Sequence, residues 1–487
     1  MLGQISAMLF NSIEFLLFLP IVFVLYWGVF GKNLRWQNLF VVVASYVFYG
    51  WWDWRFLLLI AFTSLCSWVS GLLIQKCHDT GGSQAGIIQW TNIIVNLSIL
   101  GVFKYFNFFV QSFMDAFASM GVSLNVMTLK LILPVGISFY TFQALSYSID
   151  VYKKKINATR DIVAFFAYVS FFPQLVAGPI ERATNLLPQI LKQRVFKYDE
   201  AVDGCRQILW GFFKKVLIAD NCAVYVDTVF SDYTNYGAST LLFGALMFTF
   251  QIYGDFSGYS DIAIGTAKLF GIRLKRNFNV PYFSRNVAEF WKRWHISLNT
   301  WFVDYLYIPL GGGRNGKWKK IRNTIVIFLT SGLWHGANWT YVAWGAYHAL
   351  LFVPLILTGG NKKFSNVVAE GKRLPSLNEL SQMLSTFVLV LIGWIIFRSD
   401  NIHHAADYIQ RLFSQSIFSI PDDPLTLMKL LVFCLVLILI EWIQRTKEHG
   451  LDFAVKSPVL RFAVYFVVFF LVIAGSGNPV TFIYFQF

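Results

Sequence analysis

Charge is scarce in this 487-residue chain: 14% of its residues are Asp, Glu, Lys or Arg, where a soluble domain carries roughly a quarter. That deficit excludes an ordinary soluble enzyme. With 56% hydrophobic residues, it places the chain among polytopic membrane proteins. Cysteine is scarce too. The five present (Cys66, Cys77, Cys205, Cys222, Cys434) show no CxxC or paired spacing, which argues against a disulfide framework and against a zinc site. They read as small apolar packing residues. No GxSxG elbow, HExxH or GxxxxGK[ST] loop occurs. Gly311-Gly312-Gly313 lacks the Lys-Ser/Thr of a phosphate loop and reads as a turn. No internal repeat and no soluble domain stands out, so the simplest architecture is a single domain over residues 1–487.

What is abundant is apolar sequence. Runs at 15–30, 39–52, 56–74, 129–149, 162–180, 205–230, 240–264, 324–357, 384–397, 425–442 and 462–474 approach the roughly 20 apolar residues that cross a bilayer as a helix. Some are too long for one span, and others are short enough to be re-entrant or interfacial. The expectation is an all-α polytopic membrane protein with about 10–13 membrane segments. The first run lacks the basic n-region and small-residue cleavage site of a signal peptide. It reads as retained structure, with residues 1–7 as an upstream start or extension ahead of Met8. Polar breaks fall between the runs. The 181–200 stretch resembles an interfacial helix, and 405–413 a short amphipathic one.

The charge that remains is unevenly placed. Twelve Lys/Arg lie between Lys268 and Arg322, opposed only by Glu289 and Asp304. The positive-inside rule accounts for such basic loops on the cytoplasmic face. Recognition of an anionic ligand, such as the phosphates of coenzyme A, is the sharper alternative. No basic helix or aromatic RNA-binding pattern accompanies the charge, which argues against nucleic acid.

Ionisable groups at membrane depth are costly and usually functional, and imidazole passes protons near neutral pH. His335 lies in Thr330-Ser331-Gly332-Leu333-Trp334-His335-Gly336-Ala337-Asn338-Trp339. On a helix, Ser331, Asn338 and Trp339 share its face. A general base needs its second ring nitrogen held, and Asn338 or Ser331 is the candidate partner. Gly332 and Gly336 form a small-xxx-small pair that lets another helix approach. His295 lies in Trp291-Lys292-Arg293-Trp294-His295-Ile296-Ser297-Leu298-Asn299-Thr300-Trp301. If residues 290–306 are helical, Trp291, Trp294, Leu298, Trp301 and Tyr305 make one face. His295 borders that face with Asn299 one turn on, and Asp304 falls on the opposite side. His348 reads as a packed, satisfied histidine. Asp255 and Asp261 support the site, line a polar path, or serve capping and packing. An ordinary packed histidine remains the competing reading for His335 and His295, and a proton-coupled transporter the competing function. No inverted repeat with paired broken helices favours the latter.

At these residues the chain resembles the membrane-bound O-acyltransferase superfamily, specifically its bacterial alginate O-acetyltransferase branch. The resemblance begins at Met8-Leu9-Phe10-Asn11-Ser12 and runs through Pro173-Gln174-Leu175-Val176-Ala177-Gly178-Pro179-Ile180. It continues in Tyr253-Gly254-Asp255-Phe256-Ser257-Gly258-Tyr259-Ser260-Asp261 and Arg276-Asn277-Phe278-Asn279-Val280-Pro281-Tyr282. The block from Trp291 to Tyr307 and Gly332-Leu333-Trp334-His335-Gly336 follow, and Phe482-Ile483-Tyr484-Phe485-Gln486-Phe487 closes the series. Gly311-Gly312-Gly313-Arg314-Asn315 varies slightly from the family's usual turn. The resemblance implies that His335 matches the superfamily's invariant histidine. It implies that His295 matches a second, more variable position, Asn or Asp in some branches. Ser331, Asn338, Asn299 and Trp334 stand as supporting residues. It further implies a helical bundle around a tunnel, with no permanent cofactor and acetyl-coenzyme A as the donor. An extracytoplasmic SGNH-type transferase partner and an exported polysaccharide acceptor follow, in the bacterial cytoplasmic membrane. D-alanyl transfer to teichoic acid, or acetylation of cellulose or peptidoglycan, are alternatives on the same fold.

Overall fold

Wherever the chain is regular among the described residues, it is helical. The computed structural model describes residues 8–123, 128–129, 132–176, 178–314, 316–453, 457–477 and 480–483. The upstream extension 1–7, Ala177, Asn315 of the glycine turn, residues 130–131 of one apolar run and residues 484–487 of the closing block lie outside them.

Among the described residues, five helices are long and apolar enough to cross a membrane: Phe56–Thr80, Ala85–Ser119, Trp339–Thr358, Leu377–Arg398 and Pro424–Ile443. Two shorter apolar stretches, Ile13–Val29 and Pro458–Ala474, accompany them. The count is below the number of apolar runs because several runs fold differently. The 162–180 run breaks at Phe171 into Ile162–Ser170 and Phe172–Leu175. The 205–230 run passes through a π-helical stretch, Phe213–Asp220, and 324–357 folds as a hairpin of two helices.

Contacts divide the chain into two compact units, Met1–Gly204 with Thr266–Lys275, and Cys205–Gly265 with Arg276–Phe487. The first is organised on Ile137–Tyr152, a helix buried on nearly every face. Among its buried polar side chains, Ser148 accepts at Oγ from Asn92 at 2.8 Å. Within 181–200 a helix forms over Ala183–Ile190, which buries Ala183, Leu186, Leu187 and Ile190.

The part of the long Ala238–Leu269 helix that belongs to the second unit buries Phe248, Ile252, Phe256 and Tyr259. Asp255 and Asp261 on this helix are ion-paired. Asp255 meets Lys215 at 2.8 Å, and Asp261 pairs with Lys214. Asp255 also accepts the Ile483 N–H at 2.7 Å, which ties residue 483 to this helix. Short helices Val287–Arg293 and Ile296–Phe302 follow. The hairpin then runs from Lys317–His335 to Trp339–Thr358. Its two helices meet backbone to backbone. A Cβ on Gly332 would press on the Tyr341 carbonyl, and one on Gly345 on the Phe328 carbonyl, each closer than 3.0 Å. The close approach expected at Gly332 is therefore present. Gly336 lies beyond the helix end, against the Tyr341 ring. Asn401 caps Ile402–Arg411, which buries His404, Ala405 and Tyr408, the amphipathic helix expected near 405–413.

Candidate active site

His335 is the last residue of the Lys317–His335 helix. Gly336 continues in extended backbone, and Asn338 opens the next helix by accepting the Thr340 N–H at 3.0 Å. The expected helical face shared by His335, Asn338 and Trp339 therefore does not form, because the helix stops between them. Asn338 caps instead, and its amide donates to the Asp400 carbonyl at 2.8 Å. Ser331 keeps its place, one turn before His335 on the same helix and buried.

The His295 segment also departs from the expected continuous helix. Trp294 is extended and His295 takes φ 46°, ψ 53°, so the chain turns between Val287–Arg293 and Ile296–Phe302. Asn299 holds this break: its amide donates to the Trp291 and Trp294 carbonyls at 2.8 and 2.6 Å. The expected aromatic face splits accordingly. Trp291 packs on Trp344 and His348, with centroids 5.4 and 5.0 Å apart. Trp294 turns to Phe278 and Trp394 at 5.0 and 4.9 Å. Asp304 lies in a π-helical stretch, Val303–Tyr307, that continues directly from Ile296–Phe302.

The break and the helix end bring the two histidines together, with ring centroids 6.2 Å apart. Both are buried, His295 at 1% and His335 at 3% exposure. Trp334 touches both, at 5.7 Å from the His295 ring and 5.1 Å from the His335 ring. Trp344 and Phe397 also pack on His335, at 5.1 and 5.5 Å. Phe256 packs edge-on against His295 at 4.6 Å. Trp344, Phe397 and Phe256 were not readable as site residues, since nothing in their local sequence links them to either histidine.

His295 lies outside the candidate membrane-spanning helices, and burial pushes its imidazole pKa down to about 3. At pH 7 it is neutral, with one ring nitrogen a donor and the other an acceptor. A neutral buried imidazole suits a hydrogen bond to a developing oxyanion. His348 is packed as expected, fully buried against Trp291 and Trp344. It is not satisfied, however: neither ring nitrogen has a hydrogen-bond partner among the described residues.

Part of the basic cluster is taken up by ion pairs. Glu289 takes Arg285 and Arg293 at 3.0 and 2.8 Å, all three groups buried. Burial raises the Glu289 pKa, but Arg285 and Arg293 outweigh it and hold the carboxyl below its usual range. Lys268 pairs with Asp203 at 2.6 Å, and Arg273 with Glu200 at 2.9 Å. A mainly apolar cavity of about 370 Å³ is walled by Trp291, Ile296, Asn299 and Phe328, with Lys292 and Lys320 also on its lining. Its wall at Trp291 backs onto Trp344, which touches His335.

Residues 156–383 match the model of the membrane-bound O-acyltransferase family, and that stretch includes both histidines. The chain is 42% identical over 409 residues to the probable alginate O-acetylase AlgI of Pseudomonas aeruginosa, covering 84% of this chain and 75% of that one. It is 34% identical over 432 residues to the peptidoglycan O-acetyltransferase of Helicobacter pylori, covering 82% and 79%. The teichoic acid D-alanyltransferase of Bacillus subtilis is 29% identical over 288 residues, 55% of this chain and 70% of that one. A buried histidine pair in an all-helical, membrane-spanning chain with relatives of this extent leads to one assignment: the protein belongs to the membrane-bound O-acyltransferase family, in its AlgI-like branch.

Proposed function

We propose that this protein moves an acetyl group from cytoplasmic acetyl-coenzyme A across a bacterial cytoplasmic membrane for O-acetylation of an exported polysaccharide, of alginate type or related. The observation that carries the reading is the pair of buried imidazoles, 6.2 Å apart with Trp334 against both. The relatives named as alginate O-acetylases support the acceptor class.

His335 is the general base. Its imidazole takes the proton of an acceptor hydroxyl as that oxygen attacks the thioester carbon. The C–S bond then breaks, and the departing thiolate recovers the proton from the imidazolium. His295, neutral at pH 7, donates a hydrogen bond to the carbonyl oxygen as negative charge develops there. The apolar cavity with Lys292 and Lys320 on its lining suits the arm and phosphates of the donor. The immediate acceptor hydroxyl belongs to a carrier that an extracytoplasmic SGNH-type transferase uses to modify the polymer.

Mass spectrometry of the polysaccharide exported by a deletion strain tests the reading. Loss of O-acetyl groups, restored by the wild-type gene and not by His335→Ala at equal membrane level, is the expected result. Unchanged acetylation in the deletion strain refutes the acceptor. Full restoration by a folded His335→Ala refutes the base.

A further inference from the structure

His295 holds φ 46°, in the left-handed region that non-glycine residues rarely adopt. Such a conformation persists only where its surroundings over-determine it. Beside Asn299, which holds the break from within the segment, they do so through a residue from another segment. Asn277 is fully buried. Its carbonyl accepts the Ile296 N–H at 2.9 Å. Its Oδ1 accepts the Ser297 N–H at 3.2 Å and the Ser297 hydroxyl at 2.9 Å. Its Nδ2 donates to Ser260 Oγ at 3.2 Å, which anchors it on the Ala238–Leu269 helix.

Those two N–H groups are the first of the Ile296–Phe302 helix, donors that a helix leaves unpaired at its start. Ordinarily the residue in the N-cap position serves the first turn with its own side chain. His295 occupies that position and makes no side-chain cap bond. Asn277 does the capping from outside, and the imidazole is not spent on it. The task suits an amide, which accepts from Ser297 and donates to Ser260 at once; a carboxylate loses the donation.

We propose that Asn277 is a positioning residue for acyl transfer. It caps the Ile296–Phe302 helix in place of His295 and holds the left-handed turn that sets the His295 ring toward Trp334 and His335. The inference rests on His295 taking part in the reaction.

The test is a double-mutant cycle read as O-acetyl content of the exported polymer, in a deletion strain complemented at matched membrane levels. The variants are Asn277→Leu, His295→Asn and their combination. Asparagine tolerates the left-handed backbone and caps its own helix, so His295→Asn makes the outside cap redundant. Asn277→Leu alone is expected to lower acetylation at least tenfold, and less than twofold further in the His295→Asn background. In isolated membranes with acetyl-coenzyme A, the loss is expected in kcat and not in KM. Should Asn277→Leu fail to accumulate, Asn277→Asp carries the same cycle, with a smaller loss that again shrinks beside His295→Asn. An equal loss in both backgrounds overturns the positioning role, because it reports damage to the fold. A folded Asn277→Leu protein with wild-type acetylation overturns it as well. His295→Asn acetylating like wild type removes the participation of His295 on which it rests. Wild type without O-acetyl transfer would instead fail the proposed function itself.

Discussion

Adding one methyl group at Gly345 should separate the helices that carry His335. A Cβ there would sit closer than 3.0 Å to the Phe328 carbonyl, where ordinary contact is 3.4–4 Å. Backbone cannot rotate out of the way, so the Lys317–His335 and Trp339–Thr358 helices must part by up to about 1 Å. Overpacking of this kind costs about 1–3 kcal/mol. A displacement of that size at a catalytic group costs on the order of a hundredfold in rate. Gly332→Ala should behave alike, since its Cβ meets the Tyr341 carbonyl one turn before His335. Gly101, within Ala85–Ser119, supplies the control: a Cβ added there would meet nothing within 4 Å, so alanine gains about 1 kcal/mol of helix propensity. Thermal unfolding of the purified variants, followed by tryptophan fluorescence, and O-acetyl content of the polymer are the paired assays. If Gly345→Ala and Gly101→Ala shift the midpoint alike and both retain activity, the tight hairpin does not position His335.

Other outcomes follow from the same geometry. His335→Ala should lose about 10²–10⁴-fold in acetyl transfer while its unfolding midpoint stays near wild type, because a positioned base contributes that much; a midpoint collapse would make the histidine structural. His295 stays uncharged when folded until about pH 3, whereas the unfolded chain takes up its proton near 6.5. Stability should therefore fall as pH drops through that window, by up to about 1.4 kcal/mol per unit from this one group. In His295→Gln that share of the slope should vanish; an unaltered slope refutes the neutral buried state. Glu289→Gln leaves buried Arg293 without its carboxylate and Arg285 with only Glu379 at 3.6 Å, and should cost about 3–5 kcal/mol, seen as lost membrane accumulation. Residues 359–376 carry Lys362, Lys363, Lys372 and Arg373 against Glu370, while 399–423 carry four aspartates against Arg411. By the positive-inside rule a cysteine at Lys363 faces the cytoplasm and one at Ser414 the outside. An impermeant maleimide on intact cells, in a Cys205→Ser background, should label only the latter.

Composition and hydropathy were enough to read a helical membrane protein, because lipid leaves helices few alternatives. They could not separate a spanning run from a buried one: Ile137–Tyr152 takes up much of the apolar run at 129–149, yet it is sheathed by protein. The histidines were legible from their residue type and setting. Their neighbours were not. Spacing put Asn338 on the face of His335, but the helix ends before Asn338 and the asparagine becomes a cap. Spacing also ran one helix through His295, since the three- and four-residue steps continue on both sides of a break that a single left-handed residue makes. Asp255 and Asp261 were visible, while their partners Lys215 and Lys214 lie some forty residues earlier and became identifiable only through the fold.

The left-handed turn at His295 also limits which amino acids the position can hold. A β-branched or bulky side chain pays heavily there, whereas Asn and Asp settle in that region with little penalty. The family resemblance has Asn or Asp at the matching position in some branches. Backbone geometry thus filters the candidates first, and chemistry chooses among the few that pass. Under the proposed function, exchanges between these three residues keep the main-chain path and alter what is offered to the thioester. On that reading, the site can change its electrophilic partner in a single substitution, without rebuilding the scaffold around His335.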